Sequence, residues 1–160
     1  MTRRLSPAGR AATAHHEAGH AVAALMRHIR FSYVTIQPNA DSVGHLLLRR
    51  LRPVRAMEPM HNRGIVALAG EVAQRRFNPR SVRRHQGVGD REQVAEYAIR
   101  CSGSPEIADA LVRLWQLQAA ALVKRFWPSI ERIAAALLAG ETLDEEGCRR
   151  LVFPQPGASP

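Results

Sequence analysis

Three features of this chain predict a mainly α-helical domain with one small β element. Apolar residues recur at helical spacing along most of its length. Two short β-rich segments flank a turn cluster, Pro38-Asn39-Ala40-Asp41-Ser42. The Gly and Pro punctuation falls between these stretches, with no internal repeat and no second-domain linker. The 160 residues are therefore read as a single domain, long enough to bury a core.

Ser6-Pro7 supplies a cap and a first-turn proline, opening a helix over residues 7 to about 30. Val22, Leu25, Met26 and Ile29 place one face of it on a core. Gly19 costs about 1 kcal/mol there relative to alanine, a cost that close approach of another segment would explain. Residues 31–37 and 43–50 read as two strands of a hairpin. A second helix spans about 59–77, followed by a basic loop over 78–89. Asp90 starts the next helix, and Ser104-Pro105-Glu106 starts another, running through Leu111, Leu114, Trp115, Leu117 and Leu122. Pro128 kinks or restarts that helix. Gly140 ends the apolar segment 133–138, and Thr142-Leu143-Asp144-Glu145 reads as the capping box of a short last helix. Residues 154–160 read as a frayed tail.

Hydrophobic residues make up 46 % and charged residues 23 %, ordinary values for a globular chain. No apolar run approaches the roughly 20 residues of a membrane helix, so no integral membrane segment is expected. The first residues lack the apolar stretch of a secretory signal. Cys101 and Cys148 form no C-x-x-C pair and are expected to be reduced and buried, which favours a cytoplasmic location. The net charge is +9, carried by 22 arginines and a single lysine, Lys124, and concentrated in residues 49–55 and 75–84. Such charge favours acidic partners. Neither stretch is interleaved with the aromatics of a single-strand platform, so specific nucleic-acid binding is not expected.

His16-Glu17-Ala18-Gly19-His20 carries the chemistry. On a helix, residues four apart share a face, and two imidazoles there can reach one metal ion. Glu17 follows the first histidine, where a carboxylate can reach a metal-bound water without ligating. Composition alone predicts about 0.02 copies of His-Glu-x-x-His in this chain. His15, five residues from His20, points to a different face. A catalytic zinc takes three protein ligands and a water. The metzincin continuation requires Gly at 23 and His at 26; Ala23 and Met26 stand there and exclude that class. Asp90, Glu71, His45, His61 and His85 remain as third-ligand candidates. Asp90 lies in the flexible Gly87-Val88-Gly89-Asp90, yet it also suits a helix cap with Gln93. Glu71 equally suits a solvated helix surface, and His85 is flanked by Arg83 and Arg84. Residue chemistry alone leaves the choice open.

The motif, continued as Ala21-Val22, resembles the zinc motif of the FtsH family of ATP-dependent metalloproteases. The likeness continues through Val34-Thr35-Ile36-Gln37-Pro38, Leu68-Ala69-Gly70 with Ala73, and Gly89-Asp90 with Ala98 and Arg100. It returns at Ile133-Ala134-Ala135-Ala136-Leu137-Leu138 and Glu141-Thr142-Leu143, covering about residues 13–152. This resemblance implies a helical peptidase domain with a small β element, in which Asp90 completes a metal site with His16 and His20. It implies one Zn²⁺ per chain, Glu17 as the catalytic base and polypeptide substrates. Gln74 stands where the family carries Glu, so an amide replaces that carboxylate here. The family's ATPase module and membrane anchor are absent from these residues, so unfolded or flexible substrates, or a separate ATPase partner, are expected. The family's peptidase domains assemble as rings, which raises a homo-oligomer here. The rival expectations are a catalytically silent zinc-containing binding module and a basic nucleic-acid-binding protein.

Overall fold

The computed structural model describes residues 6–38, 44–48, 57–82 and 88–154. Among them are six α-helices and one three-stranded antiparallel sheet. The first helix, α1 (Pro7–Met26), is capped by Ser6, whose Oγ accepts the Gly9 N–H at 3.1 Å. It ends four residues before the sequence suggests. The His28 N–H bonds the Leu25 carbonyl and the Ile29 N–H bonds the Ala24 carbonyl, with His28 at φ 55°. This pair of bonds closes a helix through a left-handed residue, usually glycine. A histidine in that place leaves no stop signal to read, and burial of Ile29 holds the exit.

Strands β1 (Phe31–Thr35) and β2 (His45–Leu48) pair with Val34 opposite Leu46 and Thr35 opposite His45. Residues 39–43, which hold most of the expected turn cluster, lie outside the described residues, as do 49–56 with their arginines. A third strand, β3 (Leu143–Asp144), pairs on the other side of β1, so among the described residues β2 is an edge of the sheet. That segment reads as a capping box in sequence. Instead, the Thr142 hydroxyl donates to Thr35 Oγ1 at 3.0 Å. The cap of the last helix is Asp144, whose carboxylate accepts the Gly147 N–H at 2.7 Å.

Helix α2 (Met57–Phe77) crosses α1 closely: a β-carbon on Gly19 would lie 2.6 Å from Ala73 Cβ and 2.7 Å from the Ala69 carbonyl oxygen. The glycine is thus explained by approach of a second helix. A 3₁₀ turn (Pro79–Ser81) follows, then α3 (Val88–Ser102) and α4 (Pro105–Arg125). Pro128 restarts the chain as α5 (Trp127–Leu138), and α6 (Glu145–Val152) closes it. Val22, Phe31, Val34, Trp115, Ile130, Ile133 and Leu137 are fully buried in one core. Each such side chain contributes roughly 1.5–3 kcal/mol. Both cysteines are free. Cys148 is buried, and burial beside Asp144 and Glu145 pushes its thiol up to about 12, whereas Cys101 is only half-buried. Among the described residues no helix is long and apolar enough to cross a membrane. The tail beyond residue 154 lies outside them.

Candidate metal centre

His16 and His20 stand one turn apart on α1, and their Nε2 atoms approach to 3.0 Å. The other nitrogen of each ring is committed. His20 Nδ1 lies 2.7 Å from the Val66 carbonyl oxygen, which only accepts, so this nitrogen carries a proton. His16 Nδ1 lies 3.0 Å from Gln74 Oε1. Gln74 donates its Nε2 to the Ser81 carbonyl (3.2 Å) and hydroxyl (3.3 Å), which fixes the amide so that its oxygen faces His16. Both imidazoles are therefore donors at Nδ1 and turn Nε2 toward each other, the arrangement a metal requires of ligating histidines.

Asp90 supplies the third atom. The described part of helix α3 starts at Val88, so Asp90 lies within the helix rather than capping it. Its Oδ2 sits 3.2 Å from His16 Nε2 and 3.5 Å from His20 Nε2. Tetrahedral zinc with ligand bonds of about 2.0–2.1 Å separates its ligand atoms by about 3.3 Å. The three edges observed, 3.0, 3.2 and 3.5 Å, bracket that value. Three electron-pair donors this close repel one another unless a cation lies among them. Without a metal that cation is a proton. Burial disfavours a charged His20, but the Asp90 carboxylate, with Glu17 and the Val66 carbonyl, pushes its pKa up to about 9. Burial likewise opposes ionisation of Asp90, yet the two imidazoles hold its carboxyl far below the usual range. The donor set fits one divalent ion and is the group of His, Cys, Asp and Glu side chains among the described residues that could hold it.

Glu17 projects from the same turn of α1 and is only 6 % exposed. Burial raises its pKa, and Asp90 adds to the rise against the opposing influence of His20, His16 and His45. The start of β2 lies against it: a β-carbon on Gly44 would sit 3.2 Å from Glu17 Oε1 and 2.8 Å from Thr13 Cγ2. The Glu17 carboxylate is thus walled by the start of the edge strand.

The other third-ligand candidates have different uses. Glu71 pairs with Arg75 and with Arg91, the latter at 2.8 Å. His61 Nδ1 accepts the Trp115 indole N–H at 3.0 Å. His45 Nε2 bonds the Tyr33 hydroxyl at 2.9 Å, and His85 lies outside the described residues. His15 stacks on Phe77 with ring centroids 3.8 Å apart, on a different face from His16. In the second arginine cluster Arg75 is paired, and Arg76 lies over the Trp127 ring.

Two contributors escape residue-by-residue reading. A β-carbon on Gly70 would collide with the His20 ring, its Nε2 included, so α2 must be bare there for the ligand to fit. The only sequence signal is a glycine inside a helix, where it costs about 1 kcal/mol without a packing reason. Gln74 orients His16 through a neutral amide in place of the carboxylate that the family resemblance implies. No protein-family model matches the chain, and no curated protein matches it.

Proposed function

We propose that this chain is a zinc-dependent endopeptidase of the FtsH-like type, acting on unfolded or flexible polypeptides. The observation that carries this reading is the buried Glu17 carboxylate beside the convergent His16, His20 and Asp90 donors. A site built only to hold a metal needs no buried base. Zinc held by His16, His20 and Asp90 would supply Lewis acidity toward water and the peptide carbonyl. Glu17 accepts the proton of the attacking water and passes it to the departing amine nitrogen. Burial raises its pKa, which makes its carboxylate a stronger base toward that water. The β2 edge, beside Glu17, aligns an extended substrate backbone by strand addition. A scissile segment must be extended to lie there, so folded substrates require a separate unfolding ATPase. A cytoplasmic location, with both cysteines free, belongs to the same proposal.

The test measures zinc content together with casein cleavage for wild type, Glu17→Gln and Asp90→Ala. The expected result is one zinc per chain and chelator-sensitive cleavage. Glu17→Gln should keep zinc and lose about 10³-fold in rate, within the range for general acid–base catalysis. Asp90→Ala should lose zinc. Zinc without cleavage of any unfolded substrate would instead favour a silent metal module, and absence of zinc after reconstitution would overturn the proposal.

A further inference from the structure

We propose that the outer face of α4 is a self-association surface that pairs antiparallel with α4 of a second copy of this chain. Helix α4 is two-faced. Ala108, Trp115, Ala119, Leu122 and Val123 are buried in the core. On the opposite side Ile107, Leu114 and Leu117 are 54, 47 and 71 % exposed, and Ala110 and Ala121 between and beyond them are exposed too. Residues 107, 110, 114, 117 and 121 follow the alternating three- and four-residue spacing of a coiled-coil seam. Monomeric proteins leave single apolar side chains in water commonly, but rarely a continuous stripe of them.

Charge selects the occupant. The first turn of α4 carries Glu106 and its last turn Lys124 and Arg125. Antiparallel pairing of two copies sets each acidic start against a basic end and opposes the helix dipoles favourably. In that register Leu114 meets Leu117 of the second copy about the two-fold axis, and Ala110 meets Ala121. Ile107 is covered by the aliphatic stem of Lys124, and Arg113 faces Ala120 rather than another arginine. The seam reads identically from both copies, as a two-fold interface demands. A parallel pair would instead stack Glu106 on Glu106 and Lys124 on Lys124. Each copy carries a net charge of +9, a repulsion that salt screens beyond about 8 Å at physiological ionic strength.

Sedimentation velocity on the full chain in 0.15 M salt tests this, with no metal required. Wild type should be a dimer at tens of micromolar. Leu114→Glu with Leu117→Glu should be monomeric there, its dissociation constant raised at least 100-fold with an unchanged far-UV circular dichroism spectrum. In a Cys101→Ser background, Ala110→Cys combined with Ala121→Cys should oxidise to a covalent dimer, whereas Ala110→Cys alone should not. A monomeric wild type, an assembly that survives the double glutamate variant, or cross-linking through Ala110→Cys alone would each overturn the proposal.

Discussion

Helices α1 and α4 are nearly equal in length and both rich in alanine, yet they break the inside–outside rule in opposite directions. Helix α1 buries twelve of its twenty residues, and three of those are His15, Glu17 and His20. Helix α4 buries five of twenty-one and leaves three large aliphatic side chains in water. Burying an ionisable group costs free energy unless it is partnered, and exposing an aliphatic stripe forfeits burial that the fold could have used. His15 shows that such burial need not be chemical: it stacks on Phe77 and its Nδ1 bonds the Ala11 carbonyl at 2.8 Å. His20 differs because it is held by the Val66 carbonyl, 46 residues away, and meets His16 and the distant Asp90, with the buried Glu17 beside them. Departures from patterning point to function where the departing groups share a geometry: the donor triangle that α1 forms with Asp90, and the seam proposed for α4.

The sharpest contrast lies within α4 itself. Trp115→Ala should cost about 3–5 kcal/mol, because the indole is fully buried and His61 loses its donor. Leu117→Ala, two residues on, should change monomer stability by no more than about 0.5 kcal/mol. Urea unfolding of both variants at submicromolar concentration makes the comparison. Similar costs at the two positions would mean that α4 has no free face.

On α1 the contrast is between metal-free and zinc-bound protein, and pH separates them. The folded pKa of His20 lies near 9, above its ordinary 6.5. Its contribution to metal-free stability is therefore fully present below about 6.5 and is lost as pH rises through 9. Zinc needs the neutral ring, so binding displaces that proton, and apparent affinity should rise about tenfold per pH unit across the same window. Asp90 stays ionised throughout and adds nothing to the slope. Thermal melts with and without zinc between pH 6.5 and 9 should diverge, the metal-free midpoint falling as the zinc increment grows. Parallel curves would show that His20 does not exchange a proton for the metal.

Much of this was legible in the chain because it is local. Two histidines and a glutamate within five residues share a helix face by periodicity alone, and the order of helices follows from apolar spacing and caps. Asp90 was legible only through family resemblance, since 74 residues separate it from His16 and its local context suits a cap equally well. The end of α1 was not legible, because His28 occupies the left-handed position where glycine usually announces a stop. Nor was β3: two residues whose strand partners, Tyr33 and Val34, lie more than a hundred positions earlier leave no periodic trace. In α4, apolar residues around the whole helix hide which stripe faces the core. Leu114 and Trp115 look alike in sequence and end on opposite sides.

Gly70 tests whether α2 is shaped for the site or merely for packing. Alanine is about 1 kcal/mol better than glycine in a helix interior, so propensity alone predicts that Gly70→Ala stabilises the chain. The added carbon meets the His20 imidazole, however, and should push it off the triangle. Zinc affinity, measured by chelator competition, should fall about 100-fold, the upper end for disturbing a ligand's support. Unchanged affinity would mean that the ring can move without leaving the metal.

The smallest expected effect is at Gln74, and it concerns how the His16 ring is held in orientation. The amide fixes His16 from one side and is itself fixed by Ser81, whose hydroxyl donates to the Asn78 carbonyl at 2.7 Å. Gln74→Ala frees the ring to rotate and should weaken zinc binding about tenfold, the lower end for such a partner. Gln74→Glu has two opposed consequences. A carboxylate strengthens the bond from His16 Nδ1–H, since charge-assisted bonds are roughly twice as strong. It also turns an acceptor toward the Ser81 carbonyl, where Gln74 now donates. Rotation of the Ser81 hydroxyl relieves part of that repulsion, so affinity should stay within about threefold of wild type while the melting midpoint drops. Nitrogen chemical shifts of His16 read the orientation directly: both Nδ1–H and bare Nε2 should persist in Gln74→Glu and be lost in Gln74→Ala. An alanine variant with unaltered shifts and affinity would leave the His16 ring held by α1 packing alone.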